Sequence, residues 1–162
     1  MSESLDARLE RLEAIEAIRA LMHRYWLYND TGLLGDKIAA LFIDEGVWSN
    51  AELGYHEGRA AIERFFNGAS ATITFCAHLG MNELIEVEGD RARGRWRLLL
   101  PCTFEREGVK TSRWILGDYD NAFVRKDGQW FFEKLEVIFN FNVPQNESWA
   151  GQEQIRQPDP QD

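Results

Sequence analysis

The sequence contains only two cysteines, Cys76 and Cys102, and three histidines, His23, His56 and His78. The cysteines lack CxxC spacing, and the histidines form neither an HxH nor an HExxH pattern, so a structural zinc site is not expected. Both cysteines lie in apolar, strand-like stretches, which predicts two buried reduced thiols rather than a disulfide. A Gly-rich phosphate-binding loop is also missing. We therefore expect a protein that uses neither a metal nor an organic cofactor.

Positive charge is scarce as well. The 18 Lys and Arg residues are outnumbered by 27 Asp and Glu residues, which gives a net charge of −9. Such a surface repels phosphate backbones and anionic lipids, so we expect no nucleic-acid partner and no membrane partner. The apolar runs are far shorter than the roughly 20 residues of a membrane span, and the charged N-terminal segment lacks the pattern of a secretion signal. We therefore expect a cytoplasmic protein.

Proline is rare along most of the chain, because three of the four prolines follow Val143, where the sequence becomes polar. The length of 162 residues suits one domain, and a hydrophobic content of 44% excludes wholesale disorder. Aromatic residues reach 12%, which could serve a core, an interface or an apolar ligand site. We expect a single domain over residues 1–143 and a polar tail over 144–162 without a core of its own.

Helical periodicity dominates the first part of the chain. From Leu5 onward, apolar residues recur in steps of three and four, which predicts one long amphipathic helix that ends at Thr31-Gly32. Asp36 is placed to cap a short second helix over residues 37–42. A third helix is predicted over residues 59–66.

Strand periodicity follows. A brief strand over 46–49 and a turn over 55–58 precede the third helix, and the apolar pattern takes a period of two beyond Ala71. Short Gly-containing turns separate the runs, which is typical of successive hairpins. Four strands are predicted, over residues 72–88, 91–105, 110–124 and 129–142. The pattern predicts an α+β fold in which helices pack against a curved, mainly antiparallel sheet and leave a pocket at its open end.

Several short strings occur in the order typical of one known family. They are Ile18-Arg19 with Tyr25 and Asp30-Thr31-Gly32, Ala39-Ala40-Leu41-Phe42, Gly58-Arg59-Ala60-Ala61-Ile62, His78 with Asn82, Gly117-Asp118-Tyr119, and Asp127-Gly128-Gln129-Trp130. On these strings the chain resembles the SnoaL-like branch of the nuclear transport factor 2-like superfamily over about residues 8–140. The resemblance implies a cone-shaped α+β barrel. It says less about activity, because this superfamily contains enzymes and non-enzymes.

The resemblance also suggests a catalytic pair. In family members of the lindane dehydrochlorinase, scytalone dehydratase and bile-acid dehydratase types, an Asp at the end of the first helix and a His on the first long strand face the cavity. Asp30 and His78 match those two positions. A carboxylate bound to one imidazole nitrogen fixes the tautomer and stabilises the imidazolium that forms when the other nitrogen takes a proton. The pair is therefore expected to act as a metal-free general base.

Further residues are candidates for binding a substrate. Asn82 follows His78 by four residues, so strand alternation predicts that both share a face. Lys134 matches the place where relatives carry a cationic residue on the last strand, and could stabilise an anionic intermediate. The remaining candidates are aromatic and could line the pocket: Tyr25, Tyr28, Trp48, Trp114 and Tyr119.

These features together predict a cofactor-independent lyase that acts on a small apolar, aromatic or polycyclic molecule. Dehydration, dehydrohalogenation and loss of formaldehyde share the same electronic form, and the sequence does not choose among them. The alternatives are an isomerase or polyketide-type cyclase with the same pair of residues, or a non-catalytic role as the small subunit of a ring-hydroxylating dioxygenase or as a binding module. The resemblance also implies a homodimer or a homotrimer.

Overall fold

The computed structural model describes residues 4–153, in which three helices pack against one curved, unclosed sheet of seven strands. The helices are α1 (Leu5–Asp30), α2 (Gly35–Ala39) and α3 (Arg59–Ala69). The strands are β1 (Phe42–Asn50), β2 (Gly54–Glu57), β3 (Ile73–Cys76), β4 (Leu79–Glu88), β5 (Arg91–Arg106), β6 (Val109–Lys126) and β7 (Gln129–Pro144). The predicted α+β class is confirmed.

The sheet has the order β2-β1-β7-β6-β5-β3, and β4 pairs with the other half of β5. Neighbouring strands are antiparallel except β1 and β7, which are parallel. The long strands β5, β6 and β7 are joined by tight turns at Glu107-Gly108 and Asp127-Gly128. All four of these turn residues have positive φ, as two-residue hairpins require. The predicted hairpins are therefore confirmed.

Helix α1 supplies one side of the core. Ser4 caps its N-terminus by accepting a hydrogen bond from the backbone N–H of Ala7. The helix ends where predicted, because Gly32 follows with a φ of +122°, a conformation that glycine adopts without strain. Its buried positions recur at helical spacing: Ala14, Ile18, Leu21, Met22, Tyr25, Trp26 and Asn29. This stripe lies against the sheet and brings the last turn of the helix, with Asp30, to the open end.

The region between α1 and β4 differs from the prediction in several details. Helix α2 begins at Gly35 and has no side-chain cap, so Asp36 lies in its first turn rather than at its N-cap. Strand β1 is longer than the predicted 46–49, and the predicted turn at 55–58 is mostly the edge strand β2. The predicted strand over 72–88 is two strands, because Ala77 and His78 interrupt it. This interruption is important for the site described below.

The described part of the tail contacts the sheet. The Trp149 ring stacks on Phe141, with ring centroids 5.4 Å apart and an interplanar angle of 12°. Residues 154–162 of the predicted tail lie outside the described residues. Among the helices of residues 4–153, none has the combination of length and apolar character that crossing a bilayer requires.

Candidate active site

Asp30 and His78 are in direct contact. His78 Nδ1 lies 2.6 Å from Asp30 Oδ1, and the backbone N–H of His78 donates to Asp30 Oδ2 at 3.0 Å. The His78 side chain is 8% exposed and the Asp30 side chain 30% exposed. The carboxylate therefore holds both the ring and the main chain of the same histidine.

The interruption between β3 and β4 makes this contact possible. Pairing with β5 stops after Cys76 and resumes at Leu79, so the backbone N–H of His78 is left without a sheet partner. A backbone N–H removed from water needs an acceptor, and the Asp30 carboxylate supplies it. The end of α1 and the break in the sheet therefore bring the two residues together.

The hydrogen bond to Asp30 defines the chemistry of the His78 ring. An ionised carboxylate only accepts hydrogen bonds, so Nδ1 carries the proton and Nε2 has the free lone pair. Among the described residues, none forms a hydrogen bond with Nε2. The ring lines a cavity, so a bound molecule can meet this basic nitrogen.

A buried tyrosine stands beside the pair. The Tyr25 hydroxyl accepts a hydrogen bond from Trp48 Nε1 at 2.9 Å, and its ring lies edge-on to His78 with centroids 6.4 Å apart. Burial raises the pKa of Tyr25 far above its ordinary value of 10.0. Tyr25 is therefore a neutral hydroxyl at physiological pH, and the side chains of Trp48 and Asn29 both interact with it.

Cys76 and Cys102 are buried thiols, as predicted, and both line the cavity. Burial raises the pKa of Cys76 to about 12, with a smaller contribution from the negative charge of Asp30. Burial also raises the pKa of Cys102 to about 11. Because the thiolate is the nucleophilic form, neither cysteine is suited to covalent catalysis at neutral pH. His78 is the better candidate for the reactive group.

The cavity has a volume of about 110 Å³. It is lined mainly by aliphatic and aromatic side chains from α1, the turn after α1, α3 and the inner face of the sheet, including Leu33, Phe65, Phe66, Leu98, Leu100, Phe104, Ile115, Val137 and Phe139. An engineered apolar cavity of about 150 Å³ binds benzene. A space of this size and character therefore suits an apolar group no larger than about one six-membered ring.

Asp30, Cys76 and His78 are also the one group of potential metal ligands found among the described residues, with ligand atoms within 4.8 Å of one another. Two ligands on a tetrahedral zinc ion with bonds of about 2.0 Å lie roughly 3.3 Å apart. The 2.6 Å between Nδ1 and Oδ1 is shorter, so a metal would have to separate the pair. It would also have to deprotonate Cys76, whose pKa is about 12. The geometry fits a hydrogen-bonded base better than a metal centre.

Three of the predicted substrate-binding residues line the cavity: Tyr25, Trp48 and Tyr119. Tyr119 is fully buried, and burial raises its pKa well above 10.0, so it is also neutral. Its ring meets Tyr25 edge-on, with centroids 6.3 Å apart. Together with His78, these residues give the apolar cavity one aromatic wall that carries polar groups.

The other four predicted substrate-binding residues lie outside this lining. Asn82 is exposed, with a φ of +54°, at a bulge where the β4–β5 register shifts, so alternation from His78 does not hold. Trp114 alternates with the inward-facing Ile115 and lies on the outer face of the sheet.

Tyr28 and Lys134 have partners elsewhere. Tyr28 lies on the side of α1 next to α2, and Lys37 Nζ is 5.8 Å from its ring centroid. Lys134 Nζ forms an ion pair with Glu136 Oε2 at 2.9 Å. Both residues follow a shift in the β6–β7 register. For these two residues, as for Asn82 and Trp114, the placement does not support direct contact with a ligand in this cavity.

Two polar contributors were not predicted from the sequence. The Cys76 thiol donates to the backbone carbonyl of Asn29 at 3.4 Å, next to the dyad. Asn29 is itself buried, and its Nδ2 donates to the carbonyl of Tyr25. The sequence did hold a signal for Cys76: it precedes His78 by two residues in an apolar run, which suggests that the two side chains lie close together. Asn29 had no signal beyond its place on the apolar stripe of α1.

The structure is an α+β fold in which the Asp30–His78 contact lies beside an apolar cavity, and comparison with known families identifies the fold. The profile of the SnoaL-like domain matches residues 10–136. The chain belongs to the SnoaL-like domain family. A comparison with curated proteins finds no significant match.

Similar solved structures support the same fold. A hexachlorocyclohexane dehydrochlorinase of type 2 has a TM-score of 0.78 at 24% identity and covers 94% of this chain and 98% of its own. A protein from Novosphingobium aromaticivorans with a provisional assignment as a scytalone dehydratase has a TM-score of 0.74 at 24% identity, with 85% and 91% covered. A protein from the same organism, described as NTF2-like with a cystatin-like fold, has a TM-score of 0.66 at 26% identity, with 91% and 92% covered.

Proposed function

We propose that this protein is a cofactor-independent lyase in which His78 removes a proton from a small apolar substrate. The observation that carries the proposal is the contact of 2.6 Å between His78 Nδ1 and Asp30 Oδ1, which leaves Nε2 available at a cavity wall. The similarity to a dehydrochlorinase and to a protein assigned as a dehydratase adds support, because both names describe eliminations.

The proposed step is an elimination. His78 Nε2 takes a proton from carbon, the electrons of the C–H bond form a double bond, and the leaving group departs from the neighbouring carbon with its bonding electrons. Asp30 stabilises the imidazolium that results. A halide leaves as the anion, whereas a hydroxyl leaves as water after receiving the proton from the imidazolium. Release of formaldehyde begins when His78 takes a proton from a hydroxyl group: the O–H electrons form the C=O bond of formaldehyde, and the C–C bond breaks. The electrons of that bond stay on the remaining carbon, which takes the proton back from the imidazolium.

Tyr25 is the proposed hydrogen-bond donor to the substrate. Because Trp48 donates to its oxygen, the hydroxyl is held in place and its own hydrogen is left for a ligand. Burial keeps this group neutral, so it stabilises developing negative charge by hydrogen bonding rather than by giving up its proton.

The cavity narrows the proposed substrate class. About 110 Å³ accommodates one ring, so we favour a monocyclic, hydroxylated or halogenated compound. A polycyclic substrate would place one ring at the dyad and the rest outside this volume.

The experiment is a screen of such compounds with mass spectrometric detection of lost water, halide or formaldehyde, run beside His78→Gln and Asp30→Asn. His23→Gln is the matched control, because it makes the same substitution at an exposed histidine outside the cavity lining. Turnover by the wild type and by His23→Gln, and its loss in the two dyad variants, would support the proposal. A product of unchanged mass would indicate an isomerase or cyclase with the same base. Full turnover by His78→Gln would contradict the mechanism.

We also propose that the chain forms a homodimer or homotrimer through the outer face of the sheet. Leu99, Leu116 and Phe141 are paired neighbours on this face and only partly buried. Next to them, Asp118 Oδ2 is buried without a hydrogen-bond partner among the described residues. A second copy could cover the apolar residues and donate to this oxygen.

A further inference from the structure

Arg113 is a neighbour of several residues that line the cavity, although it is not itself one of the lining residues. It is on β6, two residues before Ile115, so the two side chains share the inner face of the sheet. Its cross-strand neighbour on β5 is Cys102. Ile115 and Cys102 both line the cavity, and so does Asn142 on β7, which pairs with Ile115. Cavity-lining residues therefore flank the arginine on its own strand and on both neighbouring strands.

The guanidinium is held in place. Arg113 Nε donates to Asn142 Oδ1 at 2.7 Å, and Nη2 donates to the Asn142 carbonyl at 2.7 Å. The planar guanidinium group is therefore oriented by one residue, Asn142, which itself lines the cavity. Both N–H groups of Nη1 are left unused by the described residues.

Arg113 has no carboxylate partner among residues 4–153, although the chain has an excess of acidic groups. Arginines on the outer face of the sheet do have one: Arg97 pairs with Asp118 at 3.0 Å and Arg91 with Glu133 at 2.8 Å. A partly buried guanidinium without an anion is unusual, because partial desolvation of a charge costs free energy that a partner offsets. The positive charge of Arg113 is felt at the cavity wall. Burial raises the pKa of Cys102, and the charge of Arg113 lowers it.

The strand register gives the separation of the Arg113 and His78 backbones. Cys76, Cys102 and Arg113 form one row across β3, β5 and β6, and His78 lies two residues further along the chain than Cys76. Two strand spacings of about 4.8 Å and two residues of about 3.3 Å each place the two backbones about 12 Å apart. A ligand that joins the two groups has one ring near the base and a short chain that reaches the guanidinium.

We propose that Arg113 is a substrate-binding residue that takes a carboxylate, so that the substrate is a small amphiphile with one apolar ring and an anionic end. This inference deepens the proposed function, because it names the substrate class of the same cavity. Bidentate recognition of a carboxylate is the chemistry to which a fixed guanidinium is best matched. The residue positions the substrate and takes no part in the proton transfer.

The test is equilibrium binding of 3-phenylpropionate and of 3-phenylpropanol, its neutral counterpart, followed by quenching of tryptophan fluorescence and by calorimetry. We expect the wild type to bind the carboxylate about tenfold more tightly or better, as a hydrogen-bonded charge pair allows. Arg113→Met should remove this preference and leave alcohol binding unchanged. Arg113→Lys should retain part of the preference for the carboxylate, because the positive charge stays but the bidentate geometry of the guanidinium is lost.

The matched control is Arg8→Met, which removes the same charge from an exposed position near the N-terminus of α1. It should keep the full preference. The proposal is wrong if the wild type binds both compounds equally or fails to bind the carboxylate at millimolar concentration. It is also wrong if Arg113→Met keeps the preference, or if Arg8→Met loses as much of it. The assay needs no turnover, so a protein that shows the preference but no elimination activity would contradict the proposed function alone.

Discussion

Asp30 binds His78 twice, once through the imidazole Nδ1 and once through the backbone N–H. The carboxylate therefore fixes the tautomer of the ring and satisfies the main chain where the sheet is interrupted. Each substitution of Asp30 changes both functions, and this double role decides how the variants should be designed.

The first prediction is that Asp30 and His78 act as one unit. His78→Ala should lower the rate by about 10²–10⁴-fold, the usual contribution of a general base. Asp30→Asn should also impair turnover, because the amide can donate to the ring and favour the wrong tautomer. The double variant should be little slower than the slower single variant, since groups that act together are non-additive. Steady-state kinetics of the three variants test this, and simple multiplication of the two effects would contradict it.

The second prediction concerns acid pH. Protonation of His78 occupies the lone pair that accepts the substrate proton, so the rate should fall towards acid. A pH–rate profile of the wild type measures this fall. A rate that stays constant towards acid would contradict the role of His78 as the base.

The third prediction concerns the hydrogen bond from Trp48 to Tyr25. Trp48→Phe removes the donor and leaves a buried hydroxyl without its partner, which should cost about 1–3 kcal/mol of stability. Urea unfolding of Trp48→Phe, Tyr25→Phe and the double variant completes a thermodynamic cycle. A coupling free energy of about 1 kcal/mol is expected. Strict additivity would show that the contact contributes nothing.

The fourth prediction follows from the raised pKa values of Cys76 and Cys102, about 12 and about 11. The folded protein should resist iodoacetamide at pH 8, because the thiolate is the reactive form and it is rare there. Unfolding restores ordinary thiols, so the unfolded state loses these protons above about pH 9 while the folded state keeps them. Stability should therefore decline as pH rises beyond 9. Alkylation measured by mass, with and without urea, tests the first expectation, and Cys76→Ala should weaken the decline.

The fifth prediction concerns Gly80. A Cβ at this position would overlap the ring of Trp26, which is buried, so Gly80→Ala should destabilise the fold by about 1–3 kcal/mol. Gly68→Ala is the control, because it lies in α3 with nothing near its added Cβ. That variant should be slightly more stable, as alanine favours a helix. Thermal unfolding of both variants provides the comparison.

The sequence predicted those parts of the fold that depend on local chemistry. The steps of three and four in α1, and the turns at Glu107-Gly108 and Asp127-Gly128, define their elements without reference to the rest of the chain. It did not predict β2, which is a short and largely exposed edge strand with little apolar pattern. It also missed the interruption at His78, because that break depends on a hydrogen bond to a residue 48 positions earlier.

The residues of the candidate site were also predicted only in part. Asp30 and His78 were identified by resemblance, and Tyr119 was one of the aromatic residues expected to line the pocket. Asn82 lies outside the cavity lining, because a bulge breaks the alternation on which its expected placement depended. Lys134 alternates with the fully buried Leu135, so it lies on the opposite face of β7 and pairs there with Glu136. Bulges leave little trace in hydrophobic periodicity, so such positions require a structure.

The interruption of the sheet at His78 also provides a spectroscopic reporter. The backbone N–H of His78 donates a hydrogen bond to Asp30, and the same carboxylate also binds the His78 ring. The chemical shift of this amide proton therefore reports the charge of the Asp30–His78 pair. A single assigned cross-peak in a nitrogen–proton correlation spectrum would follow protonation, ligand entry and loss of Asp30 in solution. The exchange rate of that proton with deuterium would show how often the pair opens. Both measurements can be made before any substrate is known.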